Sequence, residues 1–397
     1  MAVAQHAVCS DTYWDTTADI TTDTNRRDVS DMLELWAHKN TPFLNKLSWG
    51  KDSGGISIEW ISEHLGFGYL CVAAVQGSAT QTFSVGVSGL STAAQAAAQV
   101  TSGTLLFAYS STDCELALMW VESVTSPVVT YVLIAVTTST AYSSTVGDKI
   151  YIIGDVANEG SAPRADKSRA RAVITNAMAI LREDVQITGS MAQTDFHAIE
   201  DETKHQIKNR LLEMQRHREM LVLMSQAVTR SATVAGLFDG AFGYAVADAA
   251  KAWVKIASQD FTETTVNDIA ATLADNGANP NCLVGSITQL RKFTKWDQSK
   301  VRTKTEAKLG GHNITQYLTD TGAVVDLCMI PHFPVNIAYM LDTDKVKLRA
   351  KKGRKLLLQK LGLDGDRERW QLISEFSVEF RGWGTQGQHG AWLGLNT

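Results

Sequence analysis

A chain of 397 residues with 44% hydrophobic content has room for two or three domains and enough apolar side chain to bury a core, which excludes a disordered polymer. Its 37 Lys and Arg against 42 Asp and Glu leave a net charge of -5; this excludes a dedicated nucleic-acid binder, which needs a strongly basic balance, and makes any nucleic-acid contact local. The five cysteines, Cys9, Cys71, Cys114, Cys282 and Cys328, lack CxxC spacing and neighbouring His ligands, so neither zinc nor a disulfide framework has support and reduced, cytosolic folding is the expectation.

The opening MAVAQHAVCSDTYWDTT has no basic n-region or apolar h-region, and no later stretch supplies the ~18 uninterrupted apolar residues of a membrane span. Residues 1–27 are polar and rich in Thr and Asp, an arm with too little apolar surface to fold alone, for which a neighbouring subunit is the economical support. Asp28 to His38 (DVSDMLELWAH) patterns as a short amphipathic helix with Met32, Leu33, Leu35 and Trp36 on its apolar side, stopped by Thr41-Pro42. Ile56 to Ile61 alternates as a strand. From there to about Asp155 charge nearly vanishes. Gly103 to Tyr109, Glu115 to Val121, Val128 to Val136 and Lys149 to Ile153 are apolar, β-prone runs between Ser/Thr/Gly/Pro turns. A small all-β module is expected at about 66–146, with edges and an Ala-rich segment at 92–99 that call for a covering partner. A carbohydrate-binding module would need convergent polar groups, and the stretch offers none.

Asn176 to Ser190 leads through a β-like VQITGS into a long helix, Asp195 to Gln226. At ~3.6 residues per turn, Phe196, Ile199, Thr203, Ile207, Leu211, Met214, Leu221 and Met224 share a narrow apolar face. Acids (Asp195, Glu200, Asp201, Glu202) crowd its first half and bases (Arg210, Arg216, Arg218) its second, and Glu200 and Lys204 form an i,i+4 pair. Further on, Val266 to Asp275 reads as a helix ended by Asn276-Gly277, Cys282 to Val284 as a buried strand, and Ser286 to Phe293 as a helix capped by Ser286. Gly310 to Leu318, Val324 to Met329, Ile337 to Leu341 and the alternating Trp370 to Arg381 read as strands, which makes the class α+β.

Catalytic patterns are weak. Gly382 to Gly387 fits G-x-G-x-x-G, but ten residues remain after it, too few for a βαβ unit, and no P-loop, HExxH or G-x-S-x-G occurs. His197, His205 and His217 fall on a solvent-facing stripe rather than in a metal cluster. Asp239, Asp248, Glu263 and Asp268 lack a His, Ser or Cys partner at a telling spacing. No catalytic residue, cofactor or metal is therefore expected. The charge cluster that stands out is KVKLRAKKGRK, with Lys345, Lys347, Arg349, Lys351, Lys352, Arg354 and Lys355 on what alternates as a strand with one basic face. Three readings stay open: a salt-bridged strand, a contact for a polyanion such as packaged DNA, or a partner for an acidic patch on a neighbour.

The order of the pieces resembles a known family. A DVSD-type helix followed by TPFL (Thr41 to Leu44), an EW strand (Glu59, Trp60), GDKIYIIGDVANEGS (Gly147 to Ser161), Asn176 with VQITGS (Val185 to Ser190), DETKHQ (Asp201 to Gln206) and LDTDKVKLR (Leu341 to Arg349) are similar to the major capsid proteins of tailed bacteriophages, in the SU-ten-like subfamily. The resemblance implies a Hong Kong 97-type capsid fold: an N-terminal arm (1–55), an extended loop (56–185) carrying the inserted β-module, a spine helix of the peripheral domain (186–229), a mostly axial domain (230–340), and C-terminal strands (341–397) returning to the peripheral domain. It implies a structural subunit that assembles with itself into hexamers and pentamers of an icosahedral shell around double-stranded DNA. Scaffold, portal and minor or decoration proteins would be its partners, the virion its location, and the host cytoplasm its place of assembly. On that reading the basic cluster and a helix face of Glu200, Asp201, Glu202, Lys204 and Lys208 are candidate contacts between subunits. A cellular compartment shell of the same fold and a soluble enzyme with a β-rich accessory module are the alternatives.

Overall fold

A computed structural model describes residues 41–396 apart from short internal stretches, among them 64–67, 75–80, 87–92, 111–114, 161–165, 195–200, 297–300 and 304–313. The expected arm at 1–27 and helix at 28–38 lie outside the described residues. A single 3₁₀ turn at Leu44–Lys46 precedes β1 (Ser48–Trp49) and β2 (Ser57–Ser62). Then come β3 (Tyr69–Ala74), β4 (Thr82–Val85), α1 (Ala93–Ala97), β5 (Thr104–Tyr109), β6 (Leu116–Thr125), β7 (Val128–Val136) and β8 (Lys149–Asp155). They are followed by β9 (Ala172–Ala177), β10 (Ala179–Thr188), α2 (Gly189–Ala192), α3 (Glu202–Met224), α4 (Ala241–Ala247), β11 (Val254–Lys255) and α5 (Glu263–Asp275). The rest comprises β12 (Cys282–Ser286), α6 (Ile287–Leu290), β13 (Val301–Thr303), β14 (Ile314–Leu318), β15 (Val324–Ile330), β16 (Ile337–Leu341), β17 (Val346–Ala350), β18 (Leu357–Lys360), β19 (Arg367–Phe380) and β20 (Gly390–Leu393). Strand outweighs helix throughout.

The charge-poor stretch forms a closed six-stranded barrel in the order β3-β4-β7-β6-β5-β8, with β8 pairing back to β3 through Tyr151 opposite Tyr69. Period-two alternation explains it: Leu106, Ala108, Ala117, Met119, Val121 and Val129 point inward and are at most 1% exposed, while their neighbours face out. Closure removes the free edges for which a covering partner was expected, and Ala96 and Ala97 of the Ala-rich segment are buried in the barrel's own core. The need for a partner on those two grounds is corrected. The barrel runs through β8 to Asp155, past the expected limit of 146. It sits at the tip of an antiparallel ribbon in which β2 pairs with β9, Ser57 opposite Ala177 through Ser62 opposite Ala172.

Two sheets make up the rest. In the five-stranded sheet, ordered β1-β17-β19-β10 with β18 also on β19, the long strand β19 pairs its first ten residues with β10, from Thr188 opposite Arg367 to Ala179 opposite Phe376. The seven-stranded sheet runs β11-β20-β16-β12-β15-β14-β13. Its β20 was expected to return to the other sheet with the remaining C-terminal strands. Instead Ile337 faces Leu393 and Val254 faces Ala391, so the chain's last strand completes the second sheet. A single hydrophobic core, from Phe43 and Val222 through Phe376 to Trp253 and Trp392, joins the two sheets. α5 begins with a reciprocal capping box between Thr262 and Thr265 and stops where Gly277 takes φ +72°; α6 starts at Ser286, whose hydroxyl accepts the Gln289 N–H.

α3 is shorter and turned differently from the expected helix. It begins at Glu202 because Asp201 is its N-cap, accepting the Lys204 N–H at 3.1 Å, and its 23 residues span ~35 Å. Phe196, Ile199, His197 and Glu200 lie outside the described residues. The buried face holds Met214, Arg218, Glu219, Val222 and Leu223, whereas Leu221 and Met224, expected on the buried stripe, are only half-buried. Arg218, expected on the charged outer face, points inward because the sheet beneath it offers a carbonyl, a hydroxyl and two aromatic faces.

Candidate assembly surfaces

Two adjacent charges on α3 tie distant parts of the chain to the helix. Arg218 Nη2 donates to the Lys355 carbonyl at 2.8 Å and to Ser374 Oγ at 2.6 Å, with its guanidinium 6.0 Å from the Trp49 ring and 5.8 Å from the Phe376 ring. Burial pushes its pKa down from the ordinary value. Glu219 Oε1 accepts the N–H of Phe43 at 2.8 Å and of Leu44 at 3.1 Å, so the carboxylate anchors the chain where it comes in from the N-terminal side. Burial pushes its carboxyl up, and those two N–H groups oppose the shift. Sequence reasoning missed both roles. The available signal was two charges, Arg218 and Glu219, interrupting the i, i+4 pattern of Met214 and Val222.

The basic cluster lies along β17 and the turn after it. Val346, Leu348 and Ala350 are buried, and Arg349 and Lys351 extend from the other face onto β19. Arg349 Nη1 donates to Glu379 Oε2 at 2.8 Å, Lys351 and Arg354 each reach Glu375 at 3.3 Å, and Lys345 pairs with Asp342 at 3.1 Å. Glu375 and Glu379 are 2% and 1% exposed, so at these bases the salt-bridged arrangement holds. The signal was in the sequence: SEFSVEF places Glu375, Ser377 and Glu379 on one face and Phe376, Val378 and Phe380 on the other. Lys355 lies over the Trp49 ring at 4.2 Å, and Lys347 and Lys352 have no ion-pair partner among the described residues.

At the start of α3, Asp201 pairs with Lys204 at 3.1 Å and Glu202 accepts from Gln206 Nε2 at 2.6 Å, while the expected Glu200–Lys204 pair lies outside the described residues. The N–H of Lys204 holds the Asp201 carboxyl below its ordinary value. Lys204 and Lys208 are exposed. His205 bonds Asn209 at 3.1 Å and His217 faces Glu183 at 3.0 Å, each along or beside the helix. At the other end an apolar groove of about 570 Å³ opens between Leu181, Met220, Leu221, Met224, Val228 and Leu237. No group of three or more metal-capable side chains occurs among the described residues, and none of the described helices is long and apolar enough to cross a membrane.

A long helix lies over a mixed sheet, a second sheet shares its core, and a two-stranded ribbon carries the barrel beside them. The pattern of the SU10 major capsid protein family matches residues 15–384, and the chain belongs to that family, which makes it a structural capsid protein and part of the virion. None of the curated protein sequences compared matches it. Among solved structures, the capsid asymmetric unit of cyanophage A-1(L) is similar at 11% identity with a TM-score of 0.50, covering 94% of this chain and 98% of that one. Mycobacterium phage Cain is similar at 12% identity with a TM-score of 0.47, covering 94% of this chain and 96% of its own, and Mycobacterium phage Adephagia at 10%, 0.46, 94% and 95%.

Proposed function

We propose that this major capsid protein builds an icosahedral shell of hexamers and pentamers around double-stranded DNA, with residues 1–55 as arm and 56–185 as extended loop. α3 is the spine of a peripheral domain completed by β17, β18 and β19, and the seven-stranded sheet is the body of the axial domain. The observation that carries this is the β2–β9 ribbon. A two-stranded ribbon is marginal by itself in water; one face of this one is buried through Ile58 and Trp60 against Met178, Ile174 and Tyr244, yet it bears a whole barrel and leaves Ile56, Ile61 and Val173 exposed at 73%, 64% and 61%. Such a ribbon is supported by lying on a neighbouring copy. The exposed Lys204 and Lys208 at the start of the spine, and Lys347 and Lys352 on the basic strand, are the charged contacts we assign between copies or to the packaged polyanion. A scaffold protein accompanies assembly in the host cytoplasm, and portal and minor or decoration proteins complete the particle.

Negative-stain imaging and light scattering of the purified chain test the reading: shells are expected, and a species that stays monomeric under assembly conditions would sink it. Ile61→Lys with Val173→Lys is expected to leave a folded subunit that forms no stable shells. Normal shells from that double variant would remove the ribbon's assigned role, and normal shells from a chain lacking residues 1–27 would remove the arm's.

A further inference from the structure

We propose that Cys282 and Cys328 form a covalent cross-linking site, oxidised by a small peroxide to a disulfide that ties β12 to β15 inside the seven-stranded sheet. The two sulfurs lie 2.9 Å apart, ~0.9 Å longer than a disulfide bond. The parallel register sets Cys282 opposite Asp326 and Val284 opposite Cys328, which places both side chains on one face of adjacent strands. They are 0% and 2% exposed, so packing holds the sulfurs together instead of leaving them to sample other rotamers. Neither thiol has a part in the contacts assigned to assembly.

The surroundings provide a positive charge beside the pair. Lys46 pairs with Asp326 beside the sulfurs, and their side chains are 33% and 39% exposed, so the buried pair lies directly beneath a surface ion pair and the oxidant it calls for is a small one. The S–H of Cys282 directed at Cys328, together with the Lys46 ammonium, favours the thiolate at Cys328. That thiolate attacks one oxygen of hydrogen peroxide, the O–O bond breaks, and a sulfenic acid forms as hydroxide leaves and takes a proton to become water. The Cys282 sulfur then attacks the Cys328 sulfur, and the S–O bond breaks as the hydroxyl departs with the Cys282 proton as a second water. Two thiols lose two electrons and two protons, and one peroxide becomes two waters. A virion component passes from a reducing cell interior to an oxidising medium, where such a bond persists.

The test uses the full chain, purified reduced, exposed to dilute hydrogen peroxide, quenched, and alkylated only after denaturation. Mass spectrometry is expected to find the Cys282 and Cys328 peptides joined, lighter than the two thiol peptides by two hydrogens, and separated again by dithiothreitol. Cys71, half-buried in the barrel with its thiol pushed up by burial, is the internal control and is expected to be recovered alkylated. Closing a loop of 46 residues is expected to raise the melting temperature of the oxidised protein by about 5 °C, a rise absent in Cys328→Ala. Recovery of Cys282 and Cys328 as two alkylated residues, as separate sulfinic acids, or joined to other cysteines would overturn the proposal. The wild-type mass measurement decides it whether or not the variant folds.

Discussion

In the barrel each hairpin strand finds its partner nearby in the chain, β5 with β6 and β6 with β7, and a closed core of residues 70–150 serves this unit alone. In the five-stranded sheet the neighbours come from residues 48–49, 346–350, 367–380 and 179–188, and they are fastened by Arg218, Glu219, Glu375 and Glu379. One region is held by apolar burial and ring closure, the other by a shared core plus buried charges that each join segments far apart in sequence. The barrel can therefore vary without disturbing the body, whereas a change at one of the body's fasteners acts on several segments at once.

The largest effect that sharpens this contrast is Leu106→Ala at the fully buried centre of β5. It is expected to destabilise the barrel by ~3 kcal/mol. In calorimetry the loss should appear as a lowered barrel transition beside an unmoved body transition, since each has its own core. A single transition shifting as a whole would break the comparison.

Acid should do the reverse. His389 is fully buried, with Nδ1 accepting the Asp342 N–H at 3.2 Å and Nε2–H donating to the Arg381 carbonyl at 2.7 Å, so the neutral ring satisfies both partners and a second proton would face an N–H. Burial, chiefly, lowers its pKa to about 4. The unfolded chain takes up the proton near pH 6.5 and the folded one resists it until about pH 4, so this contribution is whole above pH 6.5 and shrinks by ~3 kcal/mol as pH falls through that window. Glu219 and Asp248, whose carboxyls burial pushes up, work against the loss. Residues 69–155 contain no histidine, so the body's melting temperature is expected to fall between pH 7 and 4.5 with little change from this cause in the barrel's. A body transition that holds constant over that range would remove His389 as its acid-sensitive element.

Smaller again is Arg218→Met, which keeps much of the side chain's volume but removes the donor shared by the Ser374 hydroxyl and the Lys355 carbonyl, leaving that carbonyl only the Ser374 O–H. A loss of ~2 kcal/mol is expected in the body transition by denaturant titration. An unchanged midpoint would show that packing of the side-chain stem, not its hydrogen bonds, is what the sheet needs.

Apolar β-prone runs and strand alternation made β5 to β8, β12, β15, β16 and β19 legible in the sequence, whereas β3 and β4 were not singled out, and cap residues located α5 and α6. Barrel closure was not legible, because the pairing of Tyr69 with Tyr151 depends on the curvature of strands 80 residues apart, which no local pattern records. The face of α3 failed for a related reason. A helical wheel assigns Arg218 to solvent by its charge, and only the carbonyl of Lys355 and the rings of Trp49 and Phe376, gathered from elsewhere, make the inside acceptable to it. The basic strand was half legible: its bases were seen, and the acids that answer Arg349, Lys351 and Arg354 stood in plain alternation on β19.

That partial legibility decides how the strand must be tested. Reversing Lys351 or Arg354 strips Glu375 of a counter-charge at 2% exposure and would disturb the fold before any partner is consulted. Lys347→Gln, which avoids a second carboxylate opposite the buried Glu379, with Lys352→Glu leaves those pairs intact. Surface changes of this kind alter subunit stability by roughly 0.5 kcal/mol or less, so the melting profile should match wild type. An assembly defect that deepens at low salt and is relieved at high salt would then place these two lysines between copies, because screening weakens the new like-charge repulsion. Empty shells forming normally while DNA packaging falls would assign them to the polyanion. Normal shells that package normally would leave the basic strand with the role its carboxylates already give it, fastening the sheet beneath α3.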